Sequence, residues 1–405
     1  MRSYFYPPLP NTCLIKFAQF IAPSAIRYFF QFELRIDCES LARIQALNNR
    51  RILLLPNHPT FQDPIAIFAL SGKLKQQFYY LSAYELFQGF MTRIFQGLGV
   101  YSVRRGLVDR PSIVQTIEIL TQPSCRLVIF PEGGCSFQND TVMPFRAGAV
   151  QIAFQTMSKL AKQGEIPDLY ALPVSIKYRY TQDMRGVIHQ TLNRLEQALG
   201  IESSPKDYDR LQAIAQQVLV RMEREYGTYS PTKDKLTWND RISLLRIHIL
   251  ESCEQQLGIS SNPKEPVRER TYRIEYALKT QVDALESEAT AAEISTGDRA
   301  NKYSLIEKSI KRLLNFDAIY DGYVAENPTP ERFLDTLTRL EREVFDIDKP
   351  PAKGYRHASI KIGEPINLKD FFTEYQRDRA STVNAVTLKV QQAVQQNLDL
   401  LNGSY

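Results

Sequence analysis

Cysteine is scarce in this chain, and its spacing shows no pairing pattern. There are five residues, Cys13, Cys38, Cys125, Cys135 and Cys253, an odd number at unrelated intervals. That argues against a disulfide framework and fits a reducing compartment. The four histidines, His58, His189, His248 and His357, are equally scattered. No metal-ligand spacing occurs, so no metal site is expected. The start of the chain lacks the basic region, apolar centre and small-residue cleavage site of a secretory signal. Internal repeats and low-complexity tracts are missing too.

Nor is there an uninterrupted apolar run long enough to span a bilayer. The most apolar stretch, residues 14–32, carries Lys16, Gln19, Pro23, Arg27 and Gln31 at intervals of three or four. These form one narrow polar stripe on an otherwise apolar helix. Two cations and a central proline argue against a span. A helix lying in the membrane interface with the stripe toward water fits better, and the alternative is packing onto the core by the broad apolar face. Residues 1–45 are therefore expected to be an amphipathic region that associates peripherally with the cytoplasmic face of a membrane.

What is present is an ordinary folded composition, 43% hydrophobic and 23% charged over 405 residues, long enough for two or three domains. The net charge of +5 hides an asymmetry: residues 1–180 carry +8 and the remainder −3. A basic first part suits nucleic acid, a phosphorylated substrate or an anionic membrane, besides simple solvation. No nucleic-acid recognition signature and no interleaved aromatic and basic face is found, so no nucleic-acid partner is expected.

From Arg51 to Tyr180 apolar strand-like runs alternate with helical stretches, which predicts an α/β fold with a mainly parallel sheet and flanking helices. Candidate strands are residues 52–55, 78–81, 100–103, 127–130 and 172–178, with helices near 84–96, 111–120 and 147–162. Beyond Tyr180 the texture changes to charged amphipathic helices, at 208–226, 240–257, 266–286, 303–314 and 330–345. Strand character returns at 358–362, before a last helix near 381–401.

In such a sheet, ligands bind beyond the carboxyl ends of the strands, and His58, Arg104, Arg105, Glu132 and Gly133 all fall there. His58 and Asp63 are five residues apart, about 140° around a helix, so they meet only if His58 stays in a turn while Asp63 stands at the helix entrance. Asp63-Pro64 suits an N-cap and first turn. In that arrangement Asp63 accepts the Nδ1 proton of His58 and leaves Nε2 as a base. The plainer alternative is a turn histidine beside a capping aspartate.

Taken in order, Asn57-His58-Pro59 with Asp63, Gly99 to Gly106 with Arg105, Phe130-Pro131-Glu132-Gly133, Arg146-Ala147-Gly148-Ala149 and Leu172-Pro173-Val174 resemble the glycerolipid acyltransferase superfamily, of the 1-acylglycerol-3-phosphate acyltransferase (lysophospholipid acyltransferase) type. Lys361-Ile362-Gly363-Glu364-Pro365-Ile366 is similar to the family's last core strand. The resemblance implies a catalytic core in residues 46–180, a large inserted all-helical module in 181–354, and completion of the core by 355–405. It also implies transfer of a fatty acyl group from coenzyme A or acyl carrier protein to the hydroxyl of a membrane lysolipid. His58 would be the base and Asp63 its orienter, with Arg104, Arg105, Glu132, Gly133 and Arg146 holding the acceptor. No covalent acyl-enzyme and no cofactor beyond the acyl thioester are implied. The alternative is a non-catalytic lipid-binding or regulatory protein that keeps the fold. One departure stands out: the third block runs Glu132-Gly133-Gly134-Cys135-Ser136 where the family usually has Glu-Gly-Thr-Arg-Ser. A phosphate-binding arginine is thus replaced by Cys135.

Overall fold

The computed structural model describes residues 5–164, 166–230, 236–288, 296–317 and 319–402. Helix α1 (Thr12–Ala25) passes through a π turn into β1 (Phe32–Ile36) and α2 (Cys38–Ala46). There follow β2 (Arg51–Pro56), α3 (Asp63–Leu74), β3 (Tyr79–Ala83), α4 (Met91–Gly97), β4 (Val100–Val103), α5 (Arg110–Thr121), β5 (Arg126–Val128), α6 (Gly148–Ala161) and β6 (Leu169–Tyr180). Helices α7 (Arg185–Leu199), α8 (Asp207–Glu225), α9 (Trp238–Leu257), α10 (Val267–Glu288), α11 (Thr296–Asn315), α12 (Tyr323–Glu326) and α13 (Pro330–Phe345) come next. The chain closes with β7 (Arg356–Ile362), β8 (Ile366–Asn367), α14 (Phe372–Arg377) and α15 (Arg379–Asn402). It divides into one unit of Met1–Arg104, Asp109–Gln182 and Gly354–Tyr405, and a second of Arg105–Val108 and Asp183–Lys353.

The first unit is an α/β fold on an eight-stranded sheet of order β1-β7-β6-β2-β5-β3-β4, with β8 also pairing β6. All neighbours are parallel except β7 and β8, which run antiparallel to β6. Strand β2 is central because both its faces are apolar: Leu53 and Leu55 enter one core with Phe154, Val390 and Val394, while Ile52 and Leu54 enter the other with Ile67 and Leu70. Burying each such side chain contributes about 1.5–3 kcal/mol.

Three local expectations change. Residues 32–46, where the sequence predicts the end of an amphipathic N-terminal region, form β1 and α2 of the sheet unit. The helix expected at 84–96 is a short 3₁₀ turn at Tyr84–Leu86 and then α4, separated by Gly89 in the left-handed region. On α1 it is not water that the polar stripe meets throughout: the Gln19 amide donates to Ser71 Oγ and the Gln76 carbonyl, at 3.0 and 2.8 Å. Ile15, Ala22 and Ile26 are buried, while Phe17, Phe20, Ile21, Tyr28 and Phe29 are exposed beside Lys16 and Arg27.

The second unit is helical and is tied by three buried bidentate ion pairs with a common placement. Glu196 near the end of α7 binds Arg210 at the start of α8, Glu223 binds Arg241 from α8 to α9, and Glu254 binds Arg270 from α9 to α10. A glutamate in a last turn and an arginine in a first turn each oppose their own helix dipole. Pairing them across a hairpin offsets both. Gly106, at φ 75°, belongs to this unit, and a Cβ there would lie 2.6 Å from the Tyr272–Arg273 backbone.

Candidate active site

β6 outruns β2, and the way the chain handles that mismatch builds the site. The ladder ends with Pro56 opposite Val174, leaving backbone groups of Ile176 and Tyr178 without a strand partner on that edge. Asn57 takes the next rung with its side chain: Nδ2 donates to the Ile176 carbonyl at 3.0 Å and Oδ1 accepts from Ile176 N–H at 2.7 Å. Asn139 takes the following one, pairing with both backbone groups of Tyr178 at 2.5 and 2.7 Å. Buried backbone groups need such partners. With Asn57 fixed to the sheet, the chain turns away and sets His58 just past the strand end.

The neighbouring strand end contributes the other wall. From β2 the crossover leads toward β3, and from β5 it leads to β6 on the opposite side. The carboxyl ends of β2 and β5 lie side by side in the sheet, and ligands of open parallel sheets bind beyond such ends. His58 and the loop after β5 are joined directly. The His58 N–H donates to Glu132 Oε1 at 2.9 Å, and the Ser136 N–H donates to the His58 carbonyl at 2.8 Å.

His58 Nδ1 lies 2.7 Å from Asp63 Oδ2, and Asp63 is wholly buried. The N-cap of α3 is Gln62, and Asp63 is a first-turn residue whose carboxylate folds back over the turn. Thr60 donates its backbone N–H to Oδ2 at 2.8 Å and its hydroxyl to Oδ1 at 2.9 Å. The imidazole ring stacks obliquely on Phe130 at 4.4 Å. The Cys135 sulfur lies 3.6 Å from Nε2 and 3.9 Å from Nδ1.

Burial opposes charging of His58, but Cys135 and Asp63 beside it outweigh that and hold its pKa well above the usual histidine range. Burial, reinforced by the Asp63 carboxylate, keeps the neighbouring Tyr178 phenol protonated. A base with a fixed tautomer, stabilised as imidazolium by a buried carboxylate, can take a proton from a hydroxyl or thiol.

The residues expected to hold an acceptor are placed unevenly. Glu132 is buried, and its Oε1 braces the His58 backbone. Gly133 has φ 74°, and a Cβ there would come within 2.5 Å of the Arg146 guanidinium. Arg146 thus reaches the loop that braces His58. Arg104 is held by Asp109, through Nη2 at 2.8 Å and its backbone N–H at 2.9 Å. Arg105 belongs to the helical unit, 4.1 Å above the Tyr272 ring and 3.4 Å from Glu275. Asn57, Thr60, Ser136 and Asn139 were not expected as supports. Asn57 and Thr60 are polar residues within two positions of His58, which is a local signal, whereas Ser136 and Asn139 lie well past the end of β5 and carry none.

Residues 35–177 match the acyltransferase family. The matched segment runs from β1 to near the end of β6 and contains His58, Asp63, Glu132, Cys135 and Arg146. No curated protein matches the chain closely. No helix among the described residues is long and apolar enough to cross a membrane.

Proposed function

We propose that the protein is an O-acyltransferase that moves a fatty acyl group from an acyl thioester, on coenzyme A or acyl carrier protein, to a hydroxyl of a lysolipid, in lipid synthesis or remodelling. His58 takes the acceptor proton and Asp63 orients it. The observation that carries this reading is the 2.7 Å contact between His58 and the buried Asp63 within the family-matched segment. A protein that merely bound lipid would have no need of a carboxylate buried behind its histidine. No bound cofactor is required, since the thioester supplies the activated acyl group.

The acceptor is expected to carry less negative charge than a phosphomonoester. Cys135 stands where the family usually has the arginine, Arg104 is engaged by Asp109, and the Arg146 guanidinium lies against Gly133 of the His58-bracing loop. Loss of one bidentate arginine–phosphate contact weakens such an acceptor by about 1.5–3 kcal/mol. The exposed aromatic face of α1, with Lys16 and Arg27, suits a protein resting on an anionic membrane surface.

The test is lipid mass spectrometry after incubating the full chain with acyl thioesters and a panel of lysolipids, on wild type and His58→Ala. Transfer should fall about 10²- to 10⁴-fold in the variant. A variant near the wild-type rate removes His58 as the base, and a wild type inactive on every pair favours the lipid-binding alternative.

A further inference from the structure

We propose that Cys135 is a nucleophile: the acyl group passes first to its sulfur and only then to the acceptor hydroxyl, with His58 and Asp63 serving both steps. This rests on the acyl-transfer reading above and goes beyond it, because a base and its orienter alone call for direct transfer. The Cys135 sulfur, the His58 ring and the Asp63 carboxylate stand in sequence, at 3.6 Å and then 2.7 Å. A nucleophile beside a base whose far nitrogen is held by a buried carboxylate is the arrangement that activates thiols and hydroxyls.

Burial grades inward along this line. Cys135 and His58 are both partly buried, and Asp63 is wholly buried. The thiols of Cys125 and Cys253 are buried, and burial pushes both up to about 11, as expected of inert core thiols. The sulfur is held beside the imidazole by the next residue, whose N–H donates to the His58 carbonyl. Its similar distances to both ring nitrogens place it alongside the ring and off the Nε2 axis. Both distances are within reach of proton exchange between the thiol and the ring.

In the first step His58 takes the thiol proton, the sulfur attacks the thioester carbonyl, the bond from carbonyl to carrier sulfur breaks, and the departing carrier thiolate receives the proton. One thioester replaces another and no redox partner is needed. In the second step His58 takes the acceptor hydroxyl proton, the oxygen attacks the acyl-cysteine carbonyl, the carbon–sulfur bond to Cys135 breaks, and the proton returns to its sulfur.

The test uses the full chain with palmitoyl-coenzyme A and, separately, palmitoyl-acyl carrier protein, without acceptor, followed by denaturation and mass spectrometry. One acyl group should appear on the Cys135 peptide and be released by neutral hydroxylamine. It should be absent from Cys135→Ala, and any acyl group on Cys135→Ser should resist hydroxylamine. Transfer should show parallel double-reciprocal lines and fall by about 10³-fold or more in Cys135→Ala, with its thermal melting unchanged. Intersecting lines, or wild-type-like transfer by Cys135→Ala, with or without an adduct, overturn the inference and leave the acyltransferase assignment standing. A wild type that neither takes up an acyl group nor transfers one overturns both.

Discussion

Replacing Asp63 by asparagine separates what its charge does from what its shape does. Oδ2 accepts from two groups that can only donate in the working tautomer, the His58 Nδ1–H and the Thr60 N–H. Oδ1 accepts from the Thr60 hydroxyl, which can also accept. An asparagine therefore has one satisfactory orientation, with its oxygen at the Oδ2 position and its amide donating to the reversed hydroxyl. The Nδ1–H tautomer survives and only the charge is lost. A charge-assisted hydrogen bond in a buried site is worth about 1.5–3 kcal/mol, so Asp63→Asn should lower the rate about 10- to 150-fold. That is far less than the roughly 10⁴-fold loss from an asparagine that reverses the histidine tautomer.

The sign of the pH effect follows from the same contact. Asp63 helps raise the His58 pKa, so its neutralisation lowers that pKa and keeps the base neutral to more acid pH. The acid limb of kcat/KM for the acceptor, which reports the base before the acceptor binds, should move downward. Acyl transfer assayed across pH on both proteins gives slope and limb together. A loss near 10⁴-fold, or a limb that stays in place, would refute the orientation derived from Thr60.

Three further outcomes are expected. Gly133→Ala places a methyl group against the Arg146 guanidinium at a left-handed residue, so it should cost about 1–2 kcal/mol of stability and raise the KM for the acceptor. An unchanged KM would separate Arg146 from acceptor binding. Phe17→Ser with Phe20→Ser should weaken binding to anionic liposomes about tenfold or more in co-sedimentation, since each exposed ring forfeits about 1.5–3 kcal/mol of burial, and equal binding would remove α1 from the membrane surface. Arg241→Met leaves Glu223 buried and unpaired and should destabilise by about 3–5 kcal/mol in denaturant unfolding. Adding Glu223→Leu should recover most of that loss, and no recovery would mean the pair is not the cause.

The parts of the fold that could be read from sequence are those whose signal is local. Ile52 to Leu55 form an apolar run because β2 is covered on both faces, and Val100–Val103 is a strand as expected, which the structure places at one edge of the sheet. Strand β1 was hidden for two reasons. Its alternation, Phe32-Glu33-Leu34-Arg35-Ile36, follows directly on an aromatic helical run. Its partner, β7, comes more than three hundred residues later, with Phe32 opposite Arg356. The break at Gly89 depends on one backbone angle, which an amphipathic pattern running to Gln96 does not report.

The site divides in the same way. His58 and Asp63 are five residues apart in one turn, so chain geometry alone restricts how they meet. Arg104 stands five residues before Asp109 and is neutralised by it, a pairing equally open to inspection but masked by the expectation that strand-end arginines grip anions. Cys135 is different. Nothing near it along the chain marks it as activated, because its partner arrives through the sheet. β3 and β4 come between β2 and β5 in sequence, yet the sheet order sets β2 and β5 side by side, and one backbone bond, Ser136 to His58, brings the two loops together. The same residue that removes a phosphate-gripping arginine by its identity thus gains a base by its position. For that reason Cys135→Arg tests two things at once: if the sulfur is the acyl carrier, the arginine cannot restore transfer to any acceptor, phosphorylated or not. Recovery of transfer to lysophosphatidic acid by that variant would instead mean that His58 needs only an acceptor hydroxyl.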